Sequence, residues 1–250
     1  MKKLLLLTVL TAFMQGMANA QLTPVADTLS PRLAWQHPLS ATVTAGLLVA
    51  GTSTLFVEPS LVANHLVREE VQLWRRNHFG FASFEVENVL QYLALASVEG
   101  LDLLGVPSRH SGLPLLYRTG GAFVIVTVAV QSLKHGVNHW RPDHSATNSF
   151  PSGHTAMAAA GAELLRLEYG ATSAWIPVAG FTVTAATALM RIYNDRHWLG
   201  DVLAGAAIGI LSADISYWLN GKLETLFANV KKAPLANSHL STLTYQLSTP

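Results

Sequence analysis

Cysteine is absent from all 250 residues. That excludes disulfides, thiolate nucleophiles and cysteine-ligated metals. Charge is scarce too: Asp, Glu, Lys and Arg together make 12% of the chain, about half the roughly 25% of ordinary soluble domains. A net charge of +1 offers no basic face to nucleic acid. No stretch sustains alternation of period two, which argues against strands and for an all-α fold. No internal repeat or low-complexity block is present, so solenoids and arrays are excluded. What remains is a chain that is 50% hydrophobic with a mean hydropathy of +0.31. It describes either one well-buried helical domain or a membrane protein, and the length suits a single domain.

The first residues are patterned. Lys2 and Lys3 precede the apolar run Leu4 to Met14, and Ala18-Asn19-Ala20 is a small-x-small site before Gln21. This is the layout of a secretory signal peptide over residues 1–20, cleaved after Ala20. The apolar run is short against the roughly 20 residues that span a bilayer. Residues 21–38, with Pro24, Pro31 and Pro38, read as an extended lead-in. Residues 39–220 read as the helical domain and 221–250 as a polar tail.

Within the domain, Leu39 to Val57 is uncharged up to Glu58. Residues 64–88 are the most polar part, and Val67, Val71 and Trp74 suit one face of an amphipathic surface helix. Val89 to Val106 is apolar but holds Glu99 and Asp102, and Pro107 to Pro114 reads as a loop. Thr119 to Leu133 is an apolar helix running into Lys134, and residues 135–150 are polar and irregular. Thr155 to Tyr169 reads as a helix with Glu163 and Arg166 on one side. Tyr169 to Met190 carries no charge and is the strongest spanning candidate; Leu199 to Leu219 is a further long helix. Glu163 and Arg166 suit a bundle interior, an interface or a soluble helix better than a lipid-facing one.

The chemistry concentrates in three short stretches. His197 and Asp201 are four apart, hence on one helical face. A carboxylate there can hold one ring nitrogen and leave the other as a nucleophile; a helix-dipole role for Asp201 is the plainer alternative. Arg191, directly after the long uncharged run, can clamp a phosphate with parallel hydrogen bonds or serve as an interface anchor. Pro151-Ser152-Gly153-His154 precedes a helix: Ser152 is a plausible cap, Gly153 admits close backbone approach, and the free N–H groups can cradle a phosphate oxygen. His154 at that rim can give a proton to a leaving alkoxide. Lys134 and Arg141 add a point charge and a fork. Arg196 has no direction fixed by sequence. His135 and His139 are four apart but lack a third ligand at a catalytic zinc spacing, so no metal site is expected.

Taken in order, K-x6-R-P from Lys134, P-S-G-H from Pro151 and R-x5-H-x3-D from Arg191 resemble the tripartite signature of the type-2 phosphatidic acid phosphatase and vanadium haloperoxidase superfamily. The match covers residues 134–201. The third motif departs from the pattern at Met190, where a small residue is usual, which costs a hydroxyl contact but no charge. The resemblance implies a helical bundle with the site at its core. It implies that Lys134, Arg141, Arg191, Ser152 and the Gly153 backbone bind phosphate, and that His197 becomes a phosphohistidine. Asp201 would orient His197, and His154 would act as general acid and then base. It implies no metal and no cofactor. The expected substrate is a phosphorylated lipid of the lipid A, undecaprenyl diphosphate or phosphatidate type, with the site facing the periplasm from the inner membrane. A soluble periplasmic acid phosphatase of broad specificity is the alternative, and a vanadate-dependent haloperoxidase is a further one.

Overall fold

The computed structural model describes residues 38–56, 58–79 and 85–232. The expected signal peptide, the lead-in up to residue 37 and the tail beyond residue 232 lie outside the described residues. Among those described, the chain is all-helical, with an isolated bridge between His139 and Asn148. The helices are α1 (Pro38–Ser53), α2 (Glu58–Phe79), α3 (Glu87–Leu103), α4 (Leu113–Gly136), α5 (Gly153–Tyr169), α6 (Trp175–Tyr193) and α7 (Leu199–Lys232). They fall into two compact units divided after Tyr217. In the second unit residues 218–232 are helical, so the first residues of the expected polar tail continue α7. The hydrophobic core described next lies in the first unit.

Helix α5 is its spine. Its first turn is capped by Ser152, whose hydroxyl accepts from the Thr155 amide. From Thr155 to Leu165 every residue is buried. That is affordable because the run is Ala- and Gly-rich, so neighbouring helices come within backbone contact. A Cβ at Gly161 would lie 2.3 Å from the Leu95 amide nitrogen of α3. A Cβ at Gly209 of α7 would lie 2.1 Å from the Ala156 carbonyl oxygen, and one at Gly205 2.5 Å from the Ser152 carbonyl oxygen. Gly180 brings α6 against Ala162 in the same way. Around these contacts Val98, Leu115, Val126, Leu164 and Tyr169 fill the core. Glu163 is 1% exposed and pairs with the half-buried Arg166, so its carboxylate is held inside the bundle with its charge matched.

Local chemistry sets the remaining boundaries. Helix α3 ends in a Schellman motif: Val106 N–H donates to Leu101 and Gly105 N–H to Asp102, with Gly105 at φ +75°. The spanning segment expected at Tyr169–Met190 begins later, at Trp175, because Gly170, Thr172 and Ser173 bond back to Arg166 and Tyr169 as a turn. It ends later too, so Arg191 lies in the last turn of α6. The polar segment 64–88 is not one helix; α2 stops at Phe79 and α3 starts at Glu87.

Three helices, Leu113–Gly136, Trp175–Tyr193 and Leu199–Phe227, are long and apolar enough to cross a membrane. On α4, Val124 and Val128 are 57% and 59% exposed, which places apolar side chains where a water-facing helix would carry polar ones. The connections 137–152 and 194–198 lie at one end of α4, α5 and α6, and the connections 104–112 and 170–174 at the other.

Candidate active site

The three signature stretches meet at the first of these ends, at the start of α5. A cavity of about 360 Å³ is lined there by Lys134, Arg141, Gly153, His154, Arg191 and His197. Tyr92, Phe123, Val126, Val130 and Met157 form an apolar wall beside them, and Gln91, Gln131, Thr127 and Asn148 complete the lining. The cavity is cationic at one side and greasy at the other.

His197 follows α6 and is 2% exposed. Its Nδ1 is 3.5 Å from Asp201 Oδ2, an ion-pair distance too long for a good hydrogen bond. Burial pulls the imidazole down to about 4 against the opposing pull of Asp201, and the nearby cations Arg191 and Lys134 push the same way as burial. The ring is therefore neutral at pH 7, with a lone pair to use. Asp201 is completely buried in the first turn of α7. It accepts from Ser149 Oγ and from the Trp198 amide, and His139 Nδ1 lies 3.3 Å from its other oxygen. Its own carbonyl accepts from the Ser152 amide at 2.9 Å. One aspartate thus ties together the first, second and third stretches.

His154 lines the cavity from the first turn of α5, with Nε2 2.9 Å from Asn88 Oδ1. Burial, followed by repulsion from Arg191, His197, Lys134 and Arg141, lowers it to about 3. Lys134 Nζ donates to the Asn148 carbonyl at 2.6 Å. Arg191 is 7% exposed and donates through Nη1 to Glu87 Oε1 at 3.1 Å; Asn194 donates to the same oxygen at 2.8 Å. The Nε atoms of Arg141 and Arg191 are buried with no hydrogen-bond partner among the described residues.

Seven of the eight residues expected from sequence are brought together. Six line the cavity, and Asp201 backs His197. Ser152 stands apart. It is fully buried, its hydroxyl is spent on capping α5 and meeting Thr155 Oγ1, and it does not line the cavity. Gly153 does line it, and a Cβ there would come 3.3 Å from Val130 Cγ1. Arg196, undirected in sequence, pairs with Asp143 at 3.1 Å and helps close the 137–150 loop on the third stretch, as does Trp198 Nε1 donating to the Trp140 carbonyl at 2.7 Å. Sequence reading missed Glu87, Asn88, His139 and Ser149. Nothing local marks the first two, which sit in a stretch that reads as polar surface. His139 attracted attention only as half of a metal pair.

The family model described as the PAP2 superfamily matches residues 115–224. A lipid A 1-phosphatase of Porphyromonas gingivalis is 40% identical over 144 residues, covering 56% of this chain and 32% of that protein. A bacitracin transport permease protein, BcrC, of Bacillus licheniformis is 35% identical over 81 residues, covering 32% of this chain and 38% of that protein. The chain therefore spans only 32% and 38% of the length of these curated relatives. Among solved structures, a transmembrane PAP2-type phosphatidylglycerolphosphate phosphatase from Bacillus subtilis superposes with a TM-score of 0.50 at 18% identity. That superposition covers 73% of this chain and 96% of that one, a likeness of fold.

Proposed function

Because residues 115–224 match the family model of the PAP2 superfamily, we propose that this chain is a member of that superfamily and a metal-independent phosphatase of a lipid phosphate, working through a phosphohistidine. The observation that carries the reading is the cavity itself: Lys134, Arg141 and Arg191 beside a neutral, buried imidazole, set against an apolar wall. A phosphate on a lipid fits both halves.

In the first step His197 Nε2 attacks phosphorus. The P–N bond forms as the ester P–O bond breaks, and the leaving oxygen takes a proton from His154. With Nε2 of His154 held by Asn88, Nδ1 is the nitrogen left for that exchange. Burial and the surrounding cations keep His154 neutral. A phosphate seated among Lys134, Arg141 and Arg191 offsets their charge, so binding raises His154 toward protonation. In the second step water attacks phosphorus, the P–N bond breaks, and His154 takes the water proton. Lys134, Arg141 and Arg191 stabilise charge on the equatorial oxygens in both steps, the work a metal ion does in other phosphoryl transfers. Asp201 supports the imidazolium character that develops on His197. Among lipid phosphates, the similarity to a lipid A 1-phosphatase favours lipid A. The N-terminal signal-peptide pattern and the three spanning-type helices favour membrane insertion with the site on the periplasmic side.

The test is phosphate release by purified protein in excess EDTA, on lipid A, undecaprenyl diphosphate, phosphatidate and a small soluble phosphomonoester. A preference for one lipid is expected, with both turnover and the phosphoenzyme lost in His197→Ala. Turnover that survives in that variant, or that needs the metal restored, would overturn the mechanism. Equal or better use of the soluble ester would make the protein a broad acid phosphatase.

A further inference from the structure

Helix α2 lies outside the segment that the family model matches, yet it grips the backbone around His197. We infer that α2 positions the nucleophile, chiefly through the ion pair of Arg68 with Asp195. The chemistry of this inference rests on the phosphatase reading above; the contact itself rests on geometry.

Asn64, Arg68, Gln72 and Arg75 recur on one face of α2, at spacings of four, four and three residues. Arg68 forks onto Asp195, Nε to Oδ1 at 2.6 Å and Nη2 to Oδ2 at 2.8 Å. Gln72 Nε2 donates to the Ile192 and Tyr193 carbonyls at 3.2 and 3.1 Å, and Arg75 Nη1 to the Tyr193 carbonyl at 3.2 Å. On the far side of His197, Asn64 Oδ1 accepts the Gly200 amide at 2.9 Å. The Arg68 guanidinium lies 5.8 Å from the centre of the Trp198 ring, and His65 meets that ring edge-on at 4.9 Å. The backbone is thus held before and after the nucleophile by one rigid helix.

The loop needs such a hold. Asp195 sits at φ +59°, a left-handed conformation that L residues adopt at a cost. The His197 ring has Asp201 at 3.5 Å and no closer hydrogen bond at Nδ1. Its aim is therefore set by its backbone more than by its side-chain partners. Arg68 and Asp195 form a bidentate pair, the geometry with the greatest directional content among ion pairs. A nucleophile displaced by an ångström loses rate steeply, while a phosphate held by other residues is bound as before.

The experiment uses the full chain in detergent with four variants: Arg68→Gln, Arg68→Lys, Asp195→Asn, and the double Arg68→Gln/Asp195→Asn. Asparagine keeps the tolerance for positive φ at residue 195 and removes only the charge. Each neutral single variant is expected to lower kcat by about ten-fold or more with KM little changed, because Lys134, Arg141 and Arg191 remain. The double variant should lose no more than a single one, and Arg68→Lys should recover part of the rate. In parallel, amide hydrogen exchange at residues 194–198 should quicken in the neutral variants while residues 156–165 of α5 keep their protection. A rise in KM at constant kcat, losses that multiply in the double variant, or unchanged exchange at 194–198 would each overturn the inference. If the wild type releases phosphate from no ester, the phosphatase reading falls, and the exchange data still decide whether α2 holds the loop.

Discussion

His197 and His154 are neutral in the folded protein at neutral pH, lowered to about 4 and about 3, whereas an unfolded chain titrates its imidazoles near 6.5. The sign of the linkage follows. Between about pH 6.5 and pH 4 the unfolded chain binds protons that the native chain refuses, so stability falls as pH falls through that window. Above it these groups contribute no pH dependence, and below about pH 4 the His197 share levels off. Each proton contributes a slope of up to about 1.4 kcal/mol per pH unit. His197→Gln should therefore flatten the decline in unfolding midpoint between pH 6.5 and pH 4 relative to the wild type. Parallel pH profiles for the two proteins would show that His197 is not held neutral by the fold. The same residues show what a sequence can reveal at this scale. His197, His154 and the three cations are legible because the tripartite signature restricts both residue type and spacing. Glu87 and Asn88 are not, because a carboxylate and an amide that support Arg191 and His154 from across the bundle need no particular neighbours in sequence. Ser152 is ambiguous for the opposite reason: a serine before a helix is as good a cap as a ligand, and the cap is visible only in the fold.

Helices α4 to α7 were legible from apolar length, but what lets them pack was not read. Gly205 and Gly209 on α7 are four apart, the small-xxx-small pattern by which helices approach at backbone distance. Their partner face on α5 is the alanine-rich run that begins at Thr155. The pattern was visible, but its meaning depends on knowing which helix lies opposite. Gly209→Ala places a methyl 2.1 Å from the Ala156 carbonyl oxygen, and backbone cannot yield as a flexible side chain can. Overpacking of this kind costs about 1–3 kcal/mol, and the shift propagates along α5 to Ser152, Gly153 and His154. A lowered melting temperature together with reduced turnover is the expected outcome. Gly221→Ala, where nothing lies within 4 Å of the added Cβ, is the control and should leave both unchanged. Equal behaviour of the two variants would mean that α7 does not pack on α5 through Gly209. Helix α2 reads as an amphipathic surface helix, and most of its described residues are exposed or half-buried. What its sequence does not show is which way its polar residues turn: Asn64, Arg68 and Gln72 reach the site loop while Leu66 and Leu73 are 56% and 45% exposed.

At the scale of the molecule, the absence of cysteine becomes useful. Single cysteines can be introduced and labelled without background from the chain. The connections 137–152 and 194–198 share one end with the cationic cavity, and 104–112 and 170–174 share the other. If α4, α6 and α7 cross the inner membrane with the site on the periplasmic side, Ser145→Cys should react with a membrane-impermeant maleimide added to intact spheroplasts. Ser111→Cys and Ala171→Cys, exposed at the opposite end, should react only after the membrane is opened. The reason to expect the two ends on opposite sides lies in the cavity. On the proposed function its cations meet a phosphate at one water–lipid boundary, while Tyr92, Phe123 and Met157 receive the apolar part without drawing the headgroup into hydrocarbon. Labelling of all three positions from outside would mean that the helices do not span. Labelling of Ser111→Cys and Ala171→Cys but not Ser145→Cys would place the site on the cytoplasmic face and require a substrate presented from that leaflet.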